Sequence, residues 1–92
     1  MHLEIVSPEA TLFSGEVTSV TVPGINGEFQ MLENHAPIVS PLQSGEVRFA
    51  GNTGLDEEFE DRFRKGADGK TILPIRSGTV ELKNNRVIVL AD

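Results

Sequence analysis

The sequence predicts an all-β domain, a sandwich or barrel, and three observations lead to that class. Short segments alternate polar and apolar residues, as in His2-Leu3-Glu4-Ile5-Val6 and Gly45-Glu46-Val47-Arg48-Phe49. Turn-forming clusters separate them: Ser7-Pro8-Glu9, Pro23-Gly24, Asn26-Gly27 and Asn84-Asn85. The apolar residues are mostly Val, Ile and Leu, with five Phe and no Trp or Tyr, a bias toward strands. A length of 92 residues suits one domain. A chain of this size buries roughly 60–65% of its unfolded surface, enough for one thin core and little room for a deep pocket.

Taken in order, the first strand is 2–6, with Leu3 and Ile5 inward, and Ser7-Pro8-Glu9 breaks it. Residues 11–13 and 16–22 read as a hairpin about a turn at Ser14-Gly15. Another short strand covers 28–32, with Phe29 and Met31 on one side. Residues 33–37 turn again, Ile38-Val39 lead on to Leu42, and Val47 and Phe49 share a face in the strand after Gly45. The end of the chain carries the clearest hairpin. Asn84-Asn85 fits a two-residue turn that needs positive φ, which Asn tolerates. Counting outward, Leu82 faces Val87 and Val80 faces Val89, while Lys83–Arg86, Glu81–Ile88 and Thr79–Leu90 pair on the other side. Ile88 and Leu90 therefore stand among polar neighbours. Either another part of the domain covers them, the reading the pattern favours, or that face awaits a partner.

One segment dissents. Leu55, Phe59 and Phe63 recur every four residues, a helical spacing. Asp56, Glu57 and Glu58 stand at its start and Arg62, Arg64 and Lys65 at its end, matching the helix dipole. Glu58–Arg62, Glu60–Arg64 and Asp61–Lys65 are acid-before-base pairs four apart, and Gly66 supplies a stop. A short helix at about 53–66 is expected, with Phe59 and Phe63 docked on the core. The alternative is an extended, charged hairpin whose return strand is 70–75.

Charge narrows the partners. Net charge is −6, and residues 1–47 contain no Lys or Arg but carry Glu4, Glu9, Glu16, Glu28, Glu33 and Glu46. Such a surface repels phosphate backbones and anionic lipid, so nucleic-acid binding and lipid insertion are not expected. Any electrostatic partner of this half is expected to be basic. Cys is absent, which excludes disulfides, thiolate metal sites and a cysteine nucleophile. No run of about 18 apolar residues and no leader is present, so a soluble chain that stays on the side of the membrane where it is made is expected.

The motifs that carry chemistry fail on inspection. The stretch 66–71, Gly-Ala-Asp-Gly-Lys-Thr, has Arg64 where a phosphate loop needs its first Gly, and a strand-like continuation in place of a helix. Asp56, Glu58 and Glu60 alternate as in a calcium loop but lack the glycine and the distal glutamate. His2 and His35 are the only imidazoles and have no zinc spacing, and no nucleophile elbow occurs. No catalytic residue, metal or cofactor is expected. What remains is the stretch 22–37, Val-Pro-Gly-Ile-Asn-Gly-Glu-Phe-Gln-Met-Leu-Glu-Asn-His-Ala-Pro, where turn residues surround Glu28 and His35. It is either a plain connection between strands or a rigid loop presenting those two side chains.

Six segments in order resemble the epsilon subunit of F-type ATP synthases (delta in mitochondria). They are Leu-Glu-Ile-Val-Ser-Pro-Glu at 3–9, Leu-Phe-Ser-Gly-Glu-Val at 12–17, and Val-Pro-Gly with Gly-Glu-Phe at 22–29. They continue with Asn-His-Ala-Pro-Ile-Val-Ser at 34–40, Gly-Glu-Val-Arg at 45–48, and Gly-Thr-Val-Glu-Leu with Asn-Arg-Val-Ile-Val-Leu-Ala-Asp at 78–92. The resemblance covers the chain except for about 50–74. It implies a flattened β-sandwich of about ten short strands over 1–92, the family's N-terminal domain, set beside gamma and on the c-ring in the central stalk. It implies no catalysis, but a rotor subunit that helps proton-driven rotation reach the catalytic subunits, peripheral to the plasma membrane on its cytoplasmic face if bacterial. By position, Glu28, Phe29 and Gln30 resemble the family's c-ring contacts, whose partner loops carry arginine. Ser7, His35, Ala36, Pro37 and Ser40 resemble its gamma contacts.

Two departures stand beside the resemblance. The family's usual form continues past Val-Leu-Ala-Asp into a two-helix C-terminal domain that inhibits hydrolysis and in some members binds ATP. This sequence stops at Asp92, so neither property is implied, and a natural short form and a truncated one remain open. The region 51–71 is longer than the family pattern and reads as an insertion. The rival from another class is a free-standing β-sandwich module that binds a ligand or protein.

Overall fold

The computed structural model describes residues 1–51, 54–55 and 57–92. These residues form nine strands: β1 His2–Val6, β2 Thr11–Gly24, β3 Gly27–Leu32, β4 Ile38–Leu42, β5 Gly45–Gly51, β6 Arg64–Lys65, β7 Thr71–Ile75, β8 Gly78–Lys83 and β9 Arg86–Ala91. They join in one sheet of order β1-β9-β8-β4-β2-β5-β7-β6, with β3 on β2 and a further β1–β2 pairing. The all-β expectation holds, with nine described strands against about ten expected.

β2 is 14 residues long, and the expected turn at Ser14-Gly15 does not form. Ser14 and Gly15 stay in register with Glu4 and Leu3 of β1, so pairing overrides a local turn signal. The Phe13 ring lies over Gly15, where an added Cβ would stand 3.0 Å from its Cζ. Pro23 and Gly24 likewise remain in the strand, opposite Glu28 and Gly27, and the turn itself is Ile25-Asn26. The first half of β2 pairs with β1; past an irregularity between Val17 and Ser19 it pairs with β3 on one side and β5 on the other. It therefore belongs to two layers: β3-β2-β5-β7-β6, and β2-β1-β9-β8-β4. Gly51, where β5 ends on β2, has φ +144 and so little room that a Cβ would lie 2.6 Å from the Val17 Cα.

Alternation sends one side chain in two between the layers. Leu3, Ile5, Val80, Leu82, Val87 and Val89 from one layer meet Val20, Val22, Met31, Val47, Phe49 and Leu73 from the other, all at 2% exposure or less. Phe49 sits at the centre of an aromatic run, 4.6 Å from the Phe13 ring and 6.1 Å, edge to face, from Phe63.

The β8–β9 hairpin has the register expected of it, turning through Asn84 and Asn85 at φ 52 and 61. Ile88 and Leu90, expected to be covered, are not: they are 37% and 52% exposed. β9 is flanked edge to edge by β1 and β8, and its inward residues Val87 and Val89 already fill the space between layers. The parallel pairing of β1 with β9 was not expected from local pattern.

The expected helix is also corrected. Thr53 and Asp56 lie outside the described residues; within those described, the segment holds only a three-residue 3₁₀ turn, Glu60–Arg62. Phe63 is extended at φ −112, ψ 157, and β6 pairs with β7 through Arg64–Ile72 and Lys65–Thr71, closer to the hairpin alternative. Leu55, Phe59 and Phe63 do pack on the core, as the spacing required, but a turn followed by a strand delivers them. Arg64 pairs with Glu46 of β5 rather than with Glu60.

Burial sets the energetic contrast between the inside and the open face. Phe49→Ala is expected to lose about 3–5 kcal/mol in a denaturant titration. Leu90→Ala is expected to lose under about 0.5 kcal/mol. Comparable losses from both would mean that the outer side of β9 is core.

Candidate functional site

Residues 22–37 begin in β2, turn at Ile25-Asn26, run through β3 and turn again before β4. Glu28 is near the start of β3, and His35 lies beyond its end. Glu28 and Leu32 are four residues apart in an extended strand, about 13 Å. The two singled-out side chains are thus at opposite ends of β3.

Glu28 is not a lone carboxylate. Its Oε1 is ion-paired with Arg48 Nη2, with the two side chains 53% and 32% exposed. Register explains the meeting: β3 and β5 flank β2, with Glu28 opposite Pro23, and Gln30 and Arg48 both opposite Thr21. All of these residues share the outer face of the first layer. Glu46, two residues before Arg48 on the same face, pairs in turn with Arg64, reaching past β7 to β6. Acid and base therefore alternate across the five strands of this layer, as Glu28, Arg48, Glu46 and Arg64. Gln30 is exposed on this face, while Phe29 points the other way and packs against the core.

The outer face of the second layer is unlike the first. One row across it runs Val6, Leu90, Thr79, Pro41, and the next runs Glu4, Ile88, Glu81, Val39. Val39 is 71% exposed. Four apolar side chains, at Val6, Leu90, Pro41 and Val39, lie in or beside the first row, with Ile88 between two glutamates. Beyond them His2 Nδ1 and Glu16 Oε2 are 3.0 Å apart, on the polar side toward β2.

The remaining candidates fall around this second face. Ser7 follows Val6, is buried, and uses its hydroxyl within the turn at 7–10, where Ala10 N–H donates to it at 3.3 Å. It shares a shallow cleft with Val6, Thr79 and Leu90. His35, Ala36 and Pro37 are exposed at the diagonally opposite corner, before β4, with His35 Nδ1 2.7 Å from the Ala36 carbonyl. Ser40 lies on the inward side of β4, opposite Val80, and faces a groove formed with Gly27, Glu28 and Phe29. The structure thus sets Ser40 beside Glu28, and Ser7 and Pro37 across the open face from each other.

A further cluster was not singled out from the sequence. The Met1 ammonium is buried, donates to the Val17 carbonyl at 3.1 Å, and is ion-paired with Glu33 Oε1. Asn85 Nδ2 donates to Glu33 Oε2 at 2.9 Å, and the Asn34 N–H donates to Asn85 Oδ1 at 2.9 Å. Glu33 thereby ties the turn before His35 to the β8–β9 turn. No local pattern signals this, because the three partners are far apart in sequence. Arg48 did have a signal: it is the first Lys or Arg in the chain, and it alternates with Glu46 in a strand.

The class that the geometry defines is a small β-sandwich, with nine strands among the described residues. The family model described as ATP synthase, Delta/Epsilon chain, beta-sandwich domain matches residues 1–92. The chain is similar to the ATP synthase epsilon chain of Chlorobium limicola, 39% identical over 90 residues that cover 98% of this chain and 86% of that one. It is 34% identical to the epsilon chain of Campylobacter concisus, covering 100% of this chain and 60% of that relative. Among solved structures, a chain of the Tetrahymena thermophila mitochondrial ATP synthase central stalk/c-ring aligns at TM-score 0.73 and 10% identity, over 99% of this chain and 62% of that one. A chain of the Euglena gracilis mitochondrial ATP synthase OSCP/F1/c-ring aligns at 0.73 and 17%, over 97% and 48%. At such identities these two likenesses are of fold. The chain belongs to the ATP synthase delta/epsilon family, through its beta-sandwich domain.

The Glu33 cluster gives the domain a pH dependence. The Met1 ammonium first, and the Asn85 amide second, hold the Glu33 carboxyl below its ordinary value of 4.5. A folded value below the unfolded one stabilises fully above the unfolded value and is lost as pH falls through the folded one. Urea midpoints are expected to fall more steeply below pH 4.5 for the wild type than for Glu33→Gln; parallel curves would remove Glu33 from the linkage.

Proposed function

We propose that this chain is a non-catalytic rotor subunit of an F-type ATP synthase, joining gamma to the c-ring in the central stalk so that proton-driven rotation reaches the catalytic subunits. The observation that carries the reading is the family match across residues 1–92. The surfaces support it, because a coupling subunit needs two docking regions of different chemistry on one rigid body. Glu28, with Gln30 and Phe29 beside it, is the proposed c-ring contact, an acidic group suited to basic loops. Ser7, His35, Ala36, Pro37 and Ser40 are the proposed gamma contacts. Ser7 and Pro37 frame the open face that carries Ile88 and Leu90, which suits a partner covering apolar area. No described helix is long and apolar enough to cross a membrane. In a bacterial cell the proposed place is peripheral, on the cytoplasmic face of the plasma membrane, held by the complex.

Recombinant gamma is expected to be retained by this chain in a pull-down. Ile88→Asp is expected to abolish retention while the thermal midpoint stays close to wild type; loss of both would assign that face to the core. Glu28→Lys is expected to weaken association with the c-ring far more than folding, and a lower midpoint with binding intact contradicts the contact. A monomer that ignores gamma and purifies with a bound small molecule would favour the ligand-binding alternative.

A further inference from the structure

We infer that Arg48 is a positioning residue for the Glu28 contact, holding the carboxylate by one oxygen so that the other is presented to a cation of the partner. This rests on the proposed role of Glu28. The pair joins Arg48 Nη2 to Oε1 of Glu28, and a carboxylate accepts on both oxygens and can take a guanidinium at each. Glu28 is half exposed near a strand end, beside the turn at 25–26, so an unpaired side chain there would sample several rotamers. Arg48 projects from the middle of β5, fixed by pairing to β2 on one side and β7 on the other. It is the less exposed partner, at 32% against 53%, so the better-held side chain orients the looser one.

The neighbouring charges favour this assignment. Arg48 has two acids within reach of its face, Glu28 across β2 and Glu46 two residues back on its own strand. Glu46 is taken by Arg64 of β6. Among the described residues, that leaves the Arg48 guanidinium ion-paired with Glu28. Arg64 thus bears electrostatically on a contact four strands away in its layer. A partner arginine approaching Oε2 meets a carboxylate already oriented, and the ordering cost of that side chain is met before binding.

The test is a double-mutant cycle on the full chain in complex with gamma, titrated onto the detergent-solubilised c-ring at fixed salt. Glu28→Gln is expected to weaken binding, and Arg48→Met to weaken it about three- to tenfold, the range for losing one pre-ordered side chain. Arg48→Lys is expected to recover part of the loss. In the Glu28→Gln background, Arg48→Met is expected to change nothing, which a merely structural role would not produce. Wild-type binding by Glu28→Gln would overturn the contact itself and this role with it. A weakened Glu28→Gln beside an Arg48→Met that binds as wild type or tighter would overturn the role alone. An Arg48→Met loss that persists in the Glu28→Gln background would do the same.

Discussion

The pairing of β2 is the constraint on which the rest of the domain depends. One 14-residue strand supplies hydrogen-bonding edges to β1, β3 and β5 and a single bridge, Gly24 with Leu42, to β4. Its two halves belong to different layers, so the irregularity at Val17 and Ser19 sets how the layers lie on each other. Gly51 is required there because any side chain would strike the β2 backbone. With β2 in place, Glu28 and Arg48 are brought to the same outer face from opposite sides of one strand. The same strand, through β1, places Val6 beside Leu90 on the other outer face.

Magnitudes separate what holds the domain from what its surfaces do. Burying side chains such as Phe49, Leu3 and Ile5 contributes on the order of 1.5–3 kcal/mol each, and the core contains many of them. Exposed ion pairs such as Glu28–Arg48 and Glu46–Arg64 contribute about 0–1 kcal/mol. The charge ladder is therefore a minor term in stability. Its physical effect is directional, since it fixes where acid and base point on a face that remains wet. The apolar face has the reverse character: its side chains add little to the isolated fold and gain from being covered.

Strand positions were legible in the sequence because period-two alternation is local, and the terminal hairpin was legible down to register because Asn-Asn turns have one short solution. The failures share a cause. Ser14-Gly15 and Pro23-Gly24 are turn signals that cross-strand pairing overrode. The four-residue spacing of Leu55, Phe59 and Phe63 correctly marked residues bound for the core, yet a short turn and an extended segment met the same demand. Glu28 was legible as a candidate from charge, but its partner Arg48 required the register of three strands. The Met1–Glu33–Asn85 cluster required contacts across 32 and 52 residues. Covering of Ile88 and Leu90 was expected because sandwiches bury central strands on both sides near their corners, and only the topology shows that nothing in the described chain lies over them.

In the proposed function the two outer faces are docking surfaces of different kinds, with gamma on the apolar one. The chain has no cysteine, so single cysteines can report each face without background. Thiol labelling of Leu90→Cys and Gln30→Cys, with and without gamma, measures coverage directly. Gamma is expected to suppress labelling at position 90 and to leave position 30 reactive. Protection at 30 with full reactivity at 90 would contradict that arrangement.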